Sequence, residues 1–332
     1  MKIKWFIGID VSKKTLDISV LKENEFILHQ QIENNVKAIK AYLKELKAVT
    51  GFSLTEAVFC MEHTGIYNTP FLEVKEKCSL NLCLENATQI KLSIGMQRGK
   101  NDKIDSKRIA EYIFKNRDNI KLWTPPRTAL KALKKLIMVR NRLIIGIKNL
   151  TKVANENDSF DEKLSIGKYF KRSIEVLKSD LKKVEKEIQK VIKEDEELKR
   201  LFSLVQSVKG VGPILAANVL VTTNEFKDIN DPKKYACYAG VAPFEYSSGT
   251  SIRGKRKVSR KANMQVKSIL HMAALVAIQS NKEITEYYER KLKEGKAKMN
   301  IINAVRNKLI HRIFACVRDN RKYENIYTNA LA

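Results

Sequence analysis

Four carboxylates stand at positions where a protein could gather them around divalent metal ions. Asp10 and Glu62 each end a short apolar run typical of a buried strand. Asp102 and Asp105 are three residues apart, so a helix that begins there would place both on one face. Mg²⁺ prefers oxygen ligands, and two ions about 3.5–4 Å apart need several carboxylates from different elements. The set predicts a two-Mg²⁺ site, although a strand-end aspartate can form a turn and Asp102 can cap a helix.

The strands that carry these acids indicate an α/β domain over residues 1–125. Asp17 and Glu56 lie in local settings similar to those of the four acids above, but we expect both at the surface. Helices on both sides of a mixed sheet are predicted, and a Trp-Thr-Pro-Pro segment at 123–126 marks the end of the domain. The β-like stretches lie at 5–10, 15–21, 26–32, 57–61 and 80–84, and the first helical spacing at 36–46.

Residues 126–200 change to apolar spacings of three and four, which predicts a helical coiled-coil arm. Two such series are separated by the polar stretch 155–161, and Asp195 interrupts the second. The two helices can pair within one chain as an antiparallel hairpin, or they can join two chains. A narrow apolar seam in a charged surround suits either arrangement, and we favour dimerisation slightly.

Residues 201–332 predict a mostly helical C-terminal domain with two candidate contacts to nucleic acid. Lys209, Gly210 and Gly212 lie in a turn like that of a helix-hairpin-helix, where glycines let backbone amides approach a phosphate. An ordinary turn between helices would look nearly the same. The second candidate is the basic segment 253–261. A run of cations usually lies on a solvent-exposed face, but this segment is next to glycines and serines, which favours phosphate contact. It holds six cations within nine residues and no acid: Arg253, Lys255, Arg256, Lys257, Arg260 and Lys261.

The composition points to a polyanionic partner. In 332 residues, 63 Lys and Arg against 37 Asp and Glu give a net charge of +26, so nucleic acid is the first candidate and an acidic membrane the second. No apolar run reaches the ~20 residues of a spanning helix, and the N-terminus does not read as a signal peptide. Five scattered cysteines and four scattered histidines disfavour a disulfide framework or a zinc site. We expect a reduced, cytoplasmic protein without a membrane partner.

Four segments resemble the DEDD transposases of the IS110 (Piv/MooV-like) family. Three of them carry the acids, at residues 7–13, 62–67 and 100–106. The fourth, residues 247–254 after an Ala-Gly-Val-Ala-Pro stretch, resembles the signature of the family's C-terminal domain. The segments occur in the order of a RuvC-like domain, a coiled coil and a C-terminal transposase domain, so the resemblance covers nearly the whole chain.

This resemblance implies a recombinase that excises and inserts a mobile DNA element under the guidance of a bridge RNA. It implies a RuvC-like (ribonuclease-H-like) fold in which Asp10, Glu62, Asp102 and Asp105 hold two Mg²⁺ ions. It also implies a serine nucleophile. The family's Ser-Gly pair matches residues 248–249, which assigns Ser248, with Ser247 and Ser251 as neighbours that could be mistaken for it.

The partners implied are donor and target double-stranded DNA, a structured guide RNA and further copies of the chain, as a dimer or tetramer at the nucleoid of a bacterial or archaeal cell. Lys103, Arg108 and the arm are expected to contact the RNA backbone. Because the serine and the acids belong to different domains, we expect docking to complete the site, within or between subunits. A nuclease of the Holliday-junction type with water as nucleophile, and a non-catalytic nucleic-acid scaffold, remain alternatives. A sugar-kinase-like fold ranks last, because no phosphate-binding glycine follows Asp10.

Overall fold

A computed structural model describes residues 3–94, 101–158, 167–248, 252–258 and 262–324. Its internal contacts divide the chain into two units, Met1–Pro125 and Pro126–Ala332. The predicted phosphate contacts of Arg260 and Lys261 lie outside the described residues, as do residues 249–251. None of the described helices combines the length and apolar character needed to span a membrane.

Unit 1 is built on a mixed five-stranded sheet. Its strand order is β3-β2-β1-β4-β5. The first three strands are antiparallel, while β4 is parallel to β1 and β5 is parallel to β4. This sheet confirms the predicted α/β class and fits a RuvC-like domain. The strands are β1 (Trp5–Val11), β2 (Thr15–Lys22), β3 (Glu25–Glu33), β4 (Ala57–Glu62) and β5 (Leu82–Glu85).

Helices cover both faces of this sheet, because alternate residues of its central strands are apolar on both sides. One core joins Ile7, Ile9 and Phe59 to two of the helices. A second core, on the opposite face of the sheet, joins Phe6 and Cys60 to the other two helices. The first pair is α1 (Val36–Lys47) and α2 (Thr69–Lys77), and the second pair is α3 (Ala87–Ile94) and α4 (Asp102–Lys115).

Two long helices open unit 2 and pack against each other in antiparallel directions. They are α5 (Thr128–Asp158) and α6 (Gly167–Glu194). Arg140 Nε donates to Glu185 at 2.8 Å, and a Cβ built on Gly146 would lie 3.7 Å from Leu177 Cδ1. The arm is thus a hairpin within one chain, and its role in dimerisation stays a prediction. Asp195 ends α6 and caps the next helix, as the break in the apolar pattern predicted.

The rest of unit 2 is helical apart from one two-stranded hairpin, and its helices share a single core with the base of the arm. The serine segment was expected to be a loop, but the structure places Ser248 at the end of a strand. The basic strand at 252–258, which pairs with the strand of Ser248, does not alternate apolar and polar residues, so its sequence resembles that of a loop. The elements are α7 (Glu196–Gln206), α8 (Pro213–Thr223), α9 (Pro232–Tyr238), β6 (Pro243–Ser248), β7 (Ile252–Val258), α10 (Met264–Ser280), α11 (Lys282–Lys293) and α12 (Lys298–Arg318).

Candidate active site

Asp10 and Glu62 lie at the same end of the sheet and on the same face. β1 and β4 are parallel neighbours whose last paired residues are Ile9 and Met61, and each acid is the next residue. Successive side chains of a strand point to opposite faces. Ile9 and Met61 belong to the core under α1 and α2, so both acids share the other face, which α4 covers.

Gly8 lets α4 cross β1 at the distance of backbone contact. A Cβ at Gly8 would lie 2.1 Å from the Ser106 carbonyl oxygen and 2.3 Å from the Ala110 nitrogen. Ser106 also shares a hydrogen bond of 2.7 Å with Ser19 of β2. Any side chain at position 8 would therefore push the helix off the strand.

The direction of α4 then brings its first turn towards Asp10. The ring of Phe114, near the end of the helix, packs on Phe6 with 5.1 Å between centroids. Because Ser106 and Ala110 lie over Gly8, the helix runs opposite to the strand, and its start continues past Gly8 towards the acids.

The first turn of α4 carries the second pair of acids. Asn101 caps the helix by accepting from the Lys103 N–H at 2.9 Å, so Asp102 and Asp105 both fall within that turn. This confirms the helix start that the spacing predicted. Arg108 Nη1 donates to Asp105 at 2.9 Å.

Burial and the charges of the other three acids both act on Asp10. The pKa of Asp10 is raised to about 6, first by burial and then by the charges of Asp102, Asp105 and Glu62 in that order, while a hydrogen bond from the Val11 N–H opposes the rise. Mutual repulsion of this kind is relieved by a cation, and four carboxylates are the donor type that Mg²⁺ prefers. The residues present therefore fit a divalent cation in donor chemistry. Within the described ranges, no three Asp, Glu, His or Cys side chains are grouped closely enough to hold one ion as they stand.

Two further acids extend the row across the sheet. Asp17 of β2 pairs in register with Asp10, and Glu85 of β5 pairs with Glu62. Asp17 was expected at the surface, which is wrong: it is 4% exposed and accepts from Gln31 Nε2 at 2.9 Å and from His29 Nε2 at 3.1 Å. Glu85 accepts from the Tyr112 hydroxyl at 3.1 Å.

The sequence pattern missed the burial of Asp17 and the place of Glu85 beside the site. Alternation along β2 indicated one buried face, formed by Leu16, Ile18 and Val20, and left Asp17 on a face that looked open. In the structure α4 packs on that face against Ser19, and His29 and Gln31 of β3 contact Asp17 there. Glu56, by contrast, does lie near the surface, where Lys4 Nζ donates to it at 3.0 Å. For Glu85 the usable signal was its place directly after a predicted strand, the same signal that identified Glu62.

The proposed nucleophile lies on the β6–β7 hairpin. Ser248 pairs with Ile252 and Ser247 with Arg253, with a register shift between Phe244 and Tyr246. The cations Arg253, Lys255, Arg256 and Lys257 all belong to β7, where Arg253 pairs with Ser247 and Lys257 pairs with Phe244.

The predicted phosphate-binding turn lies between α7 and α8. Gly210 has φ +93°, and a Cβ there would lie 2.6 Å from the Ala277 Cβ of α10, so packing against α10 accounts for this glycine. Gly212 is exposed at the start of α8 with open space around it, and Lys209 is exposed as well. Phosphate contact remains a prediction for this turn, with Lys209 and Gly212 as its accessible residues.

Two family models match separate parts of the chain. The DEDD model of IS110 elements, described as a transposase, matches residues 7–156. The model described as Transposase IS116/IS110/IS902 family matches residues 202–289. The first range contains Asp10, Glu62, Asp102 and Asp105, and the second contains Ser248.

Relatives of known name agree with these models. A pilin gene-inverting protein of Moraxella bovis is 24% identical over 325 residues, which cover 97% of this chain and 98% of the relative. A transposase for insertion sequence element IS1533 of Leptospira borgpetersenii is 25% identical over 70% of this chain and 73% of its own length. An uncharacterized 43.6 kDa protein of insertion element IS110 from Streptomyces coelicolor is 32% identical over 38% of this chain and 31% of its own length.

Proposed function

The chain belongs to the IS110 family of transposases and is a DNA recombinase of that family, and on this premise we propose that four acids and one serine perform its chemistry. The observation that carries the proposal is the crossing of α4 over Gly8. This crossing brings the first turn of a helix to the ends of two strands, so that acids far apart in sequence share one face.

In the proposed site, Asp10, Glu62, Asp102 and Asp105 hold two Mg²⁺ ions. When bound, Mg²⁺ would make the attacking hydroxyl more acidic and neutralise charge on the phosphate. The close approach of α4 at Gly8 supports a fixed geometry, because the helix cannot move closer to β1 or tilt without a backbone clash.

Ser248 is the proposed nucleophile. Its Oγ loses a proton to solvent and bonds to phosphorus as the bond from phosphorus to a deoxyribose oxygen breaks, and that oxygen leaves as a hydroxyl. The new ester bond between serine and phosphate replaces the one that was broken. A hydroxyl of another DNA strand can therefore attack the phosphorus and release the serine. The cations of β7 support this role because a developing phosphorane needs positive charge nearby.

The proposed partners are donor and target DNA, a structured bridge RNA and further copies of this chain, on nucleoid DNA in the cytoplasm. The net charge of +26 supports the polyanions. Two DNA sites must be joined in one complex, which supports an oligomer of at least two copies, with the long arm as the proposed contact. The site would be completed either within a copy or between copies.

A recombination assay on a donor–target pair with bound guide RNA tests this proposal. We expect Asp102→Asn and Ser248→Ala to lower the rate by at least about 10³-fold, since each removes a group that acts in the transition state. Asp118→Asn, an exposed acid of the same unit, is the matched control and should recombine at the wild-type rate. Unchanged recombination by either site variant would refute the assignment, and cleavage retained by Ser248→Ala would favour water as the nucleophile.

A further inference from the structure

A polar seam lies between α10 and α12 at the base of the serine hairpin. Lys267 and His271 are one turn apart on α10, and Asn303 and Arg306 are one turn apart on α12. Arg306 bonds across the seam to His271 Nδ1, and its Nη1 also reaches Asn303 Oδ1 at 3.4 Å. We call these four residues the basal seam.

Arg306 is a buried cation that the described residues leave without an acid. It is 4% exposed, its Nε has no hydrogen-bond partner, and none of the described carboxylates forms an ion pair with it. Burial lowers its pKa, and no neighbouring charge offsets the effect. Arg127 of the same unit shows the usual arrangement, because it pairs with two carboxylates. An unpaired buried charge is costly, so an anion from outside the chain would stabilise the basal seam.

The same contact fixes the protonation state of His271. A guanidinium can only donate hydrogen bonds, so Nδ1 of His271 must accept and its proton resides on Nε2. Burial, followed by the charge of Arg306, lowers the pKa of His271, which keeps the ring neutral. His271 is only partly buried, and it therefore offers an N–H donor at Nε2 beside a positive charge.

The basal seam is tied to the turn that leads into the hairpin. Asn303 Nδ2 donates to the Val241 carbonyl at 2.7 Å, and Lys267 Nζ is 3.9 Å from the position of a Cβ on Gly240. β6 begins two residues later, at Pro243, and ends at Ser248. At about 3.3 Å per residue, five steps of strand separate the base of the hairpin from the serine by about 17 Å. A phosphate at the base is therefore not the one that Ser248 would attack.

We propose that Lys267 and His271 Nε2–H bind a non-scissile phosphodiester of a nucleic acid, with Arg306 as the positioning residue that orients His271 and supplies buried charge. A contact to a phosphate away from the reacting bond fixes the register of the strand on the protein. The inference rests on the proposed function only in taking the anion to be a nucleic-acid backbone.

Histidine NMR on the full chain tests this site, because the sequence has four histidines. With ¹⁵N-labelled histidine, the His271 signals are identified by their loss in His271→Asn. We expect saturable shifts of His271 when a short DNA duplex or an RNA stem-loop is added in separate titrations, while exposed His311 of α12 stays unchanged. A response to only one of the two probes assigns the backbone to that nucleic acid, and no response to either overturns the proposal.

Affinity measurements on variants complete the test. His271→Asn keeps an acceptor for Arg306 but lacks the donor at Nε2, and we expect about tenfold weaker binding of the responding probe, whereas His311→Asn binds as the wild type does. Lys267→Gln should also lower the slope of log affinity against log salt by about one. Equal affinity of His271→Asn and wild type contradicts the proposal. Wild-type recombination by Ser248→Ala would refute the proposed function and leave the basal seam standing.

Discussion

At the scale of single residues, the missing side chain of Gly8 matters as much as the acids themselves. Its place under Ser106 and Ala110 fixes the height of α4 above the sheet. Asp102 and Asp105 can then lie near Asp10, whose pKa is raised to about 6 by burial first and by the charges of these acids second. A close helix–strand packing and a repulsive cluster of acids thus occur together in unit 1.

Replacing Gly8 by alanine should destabilise unit 1 by several kcal/mol. The added Cβ would lie 2.1 Å from a backbone oxygen, so α4 must shift as a whole. Gly146→Ala is the control, because a Cβ there would lie 3.7 Å from its nearest neighbour and alanine favours a helix. Urea unfolding measures both variants, and equal stability of Gly8→Ala and wild type would contradict the crossing of α4.

Replacing Asp10 by asparagine should stabilise the protein at neutral pH when divalent ions are chelated. The pKa of Asp10 rises from 3.8 to about 6 on folding, so the folded state binds its proton more tightly and stability falls as pH rises through that range. Above pH 6, Asp10→Asn should gain on the order of 2 kcal/mol and lose this pH dependence.

Thermal or urea unfolding from pH 4 to 8 checks this prediction, with exposed Asp118→Asn as the control. A variant with the wild-type pH profile would show that Asp10 is not in a repulsive site.

The sequence predicted Asp10, Glu62, Asp102 and Asp105 as a set because strand ends and helix spacing are local features. It could not predict that Asp17 is buried or that none of the described carboxylates pairs with Arg306. Both features depend on which segments pack against each other, and the sequence pattern of one segment does not show what packs on it. The role proposed for Ser248 rests on the resemblance and not on the residues around it.

At the scale of elements, a charged cluster joins the start of α5, the α6–α7 junction and the end of α8. Arg127 donates to Asp195 with two bonds of 2.8 Å and also bonds to Glu225, whose side chain is 1% exposed. Asn224, Glu225 and Phe226 follow α8 in a row with φ of 51°, 57° and 62°. Left-handed backbone at three successive non-glycine residues is unfavourable and needs such contacts to persist.

Removing the charge of Glu225 should weaken unit 2. Burial opposes the ionised form, but hydrogen bonds from Arg127 and Lys227 outweigh it and lower the pKa of Glu225. We expect Glu225→Gln to cost about 2–3 kcal/mol, because Arg127 then loses a buried partner.

The matched control is Glu197→Gln, whose pair with Arg200 is about 45% exposed on both sides and should contribute less than about 1 kcal/mol. The unfolding transition of unit 2 measures both variants. A smaller loss for Glu225→Gln than for Glu197→Gln would contradict this role of the cluster.

Elements with strong apolar periodicity were predicted well, and the hairpin was not. α1 begins and ends within one residue of the predicted span 36–46, and the break at Asp195 was placed correctly. Between its terminal Ile252 and Val258, β7 holds only cations and a glycine, so its sequence lacks apolar alternation and the pairing with β6 identifies it as a strand. The composition of one segment does not show which other segment it pairs with.

At the scale of the whole molecule, the charge of +26 indicates that the chain works with a polyanion bound. Several backbone contacts make such binding steeply dependent on salt. The acids of unit 1 are the exception in this basic chain, and a cation would make their surface compatible with a phosphate backbone.

Purification from a host that carries the whole mobile element should yield the protein with a discrete bound RNA. We expect this RNA to resist a wash at 50 mM salt and to lose at least about 10³-fold in affinity at 200 mM, as 6 to 10 phosphate contacts require. Gel electrophoresis of the extracted RNA checks the outcome, with a host that lacks the element as the control. A heterogeneous smear in both hosts would count against a guide RNA.

Trapping of a covalent intermediate tests the central claim most directly. A suicide DNA substrate, nicked so that the leaving strand diffuses away, is incubated with the RNA-loaded protein and Mg²⁺, and the adduct is mapped by mass spectrometry. We expect a phosphoserine–DNA adduct at Ser248 that persists in Ser247→Ala and is absent in Ser248→Ala, in Asp102→Asn and in EDTA. Strand cleavage without any adduct, or an adduct that Ser248→Ala still forms, would contradict this claim.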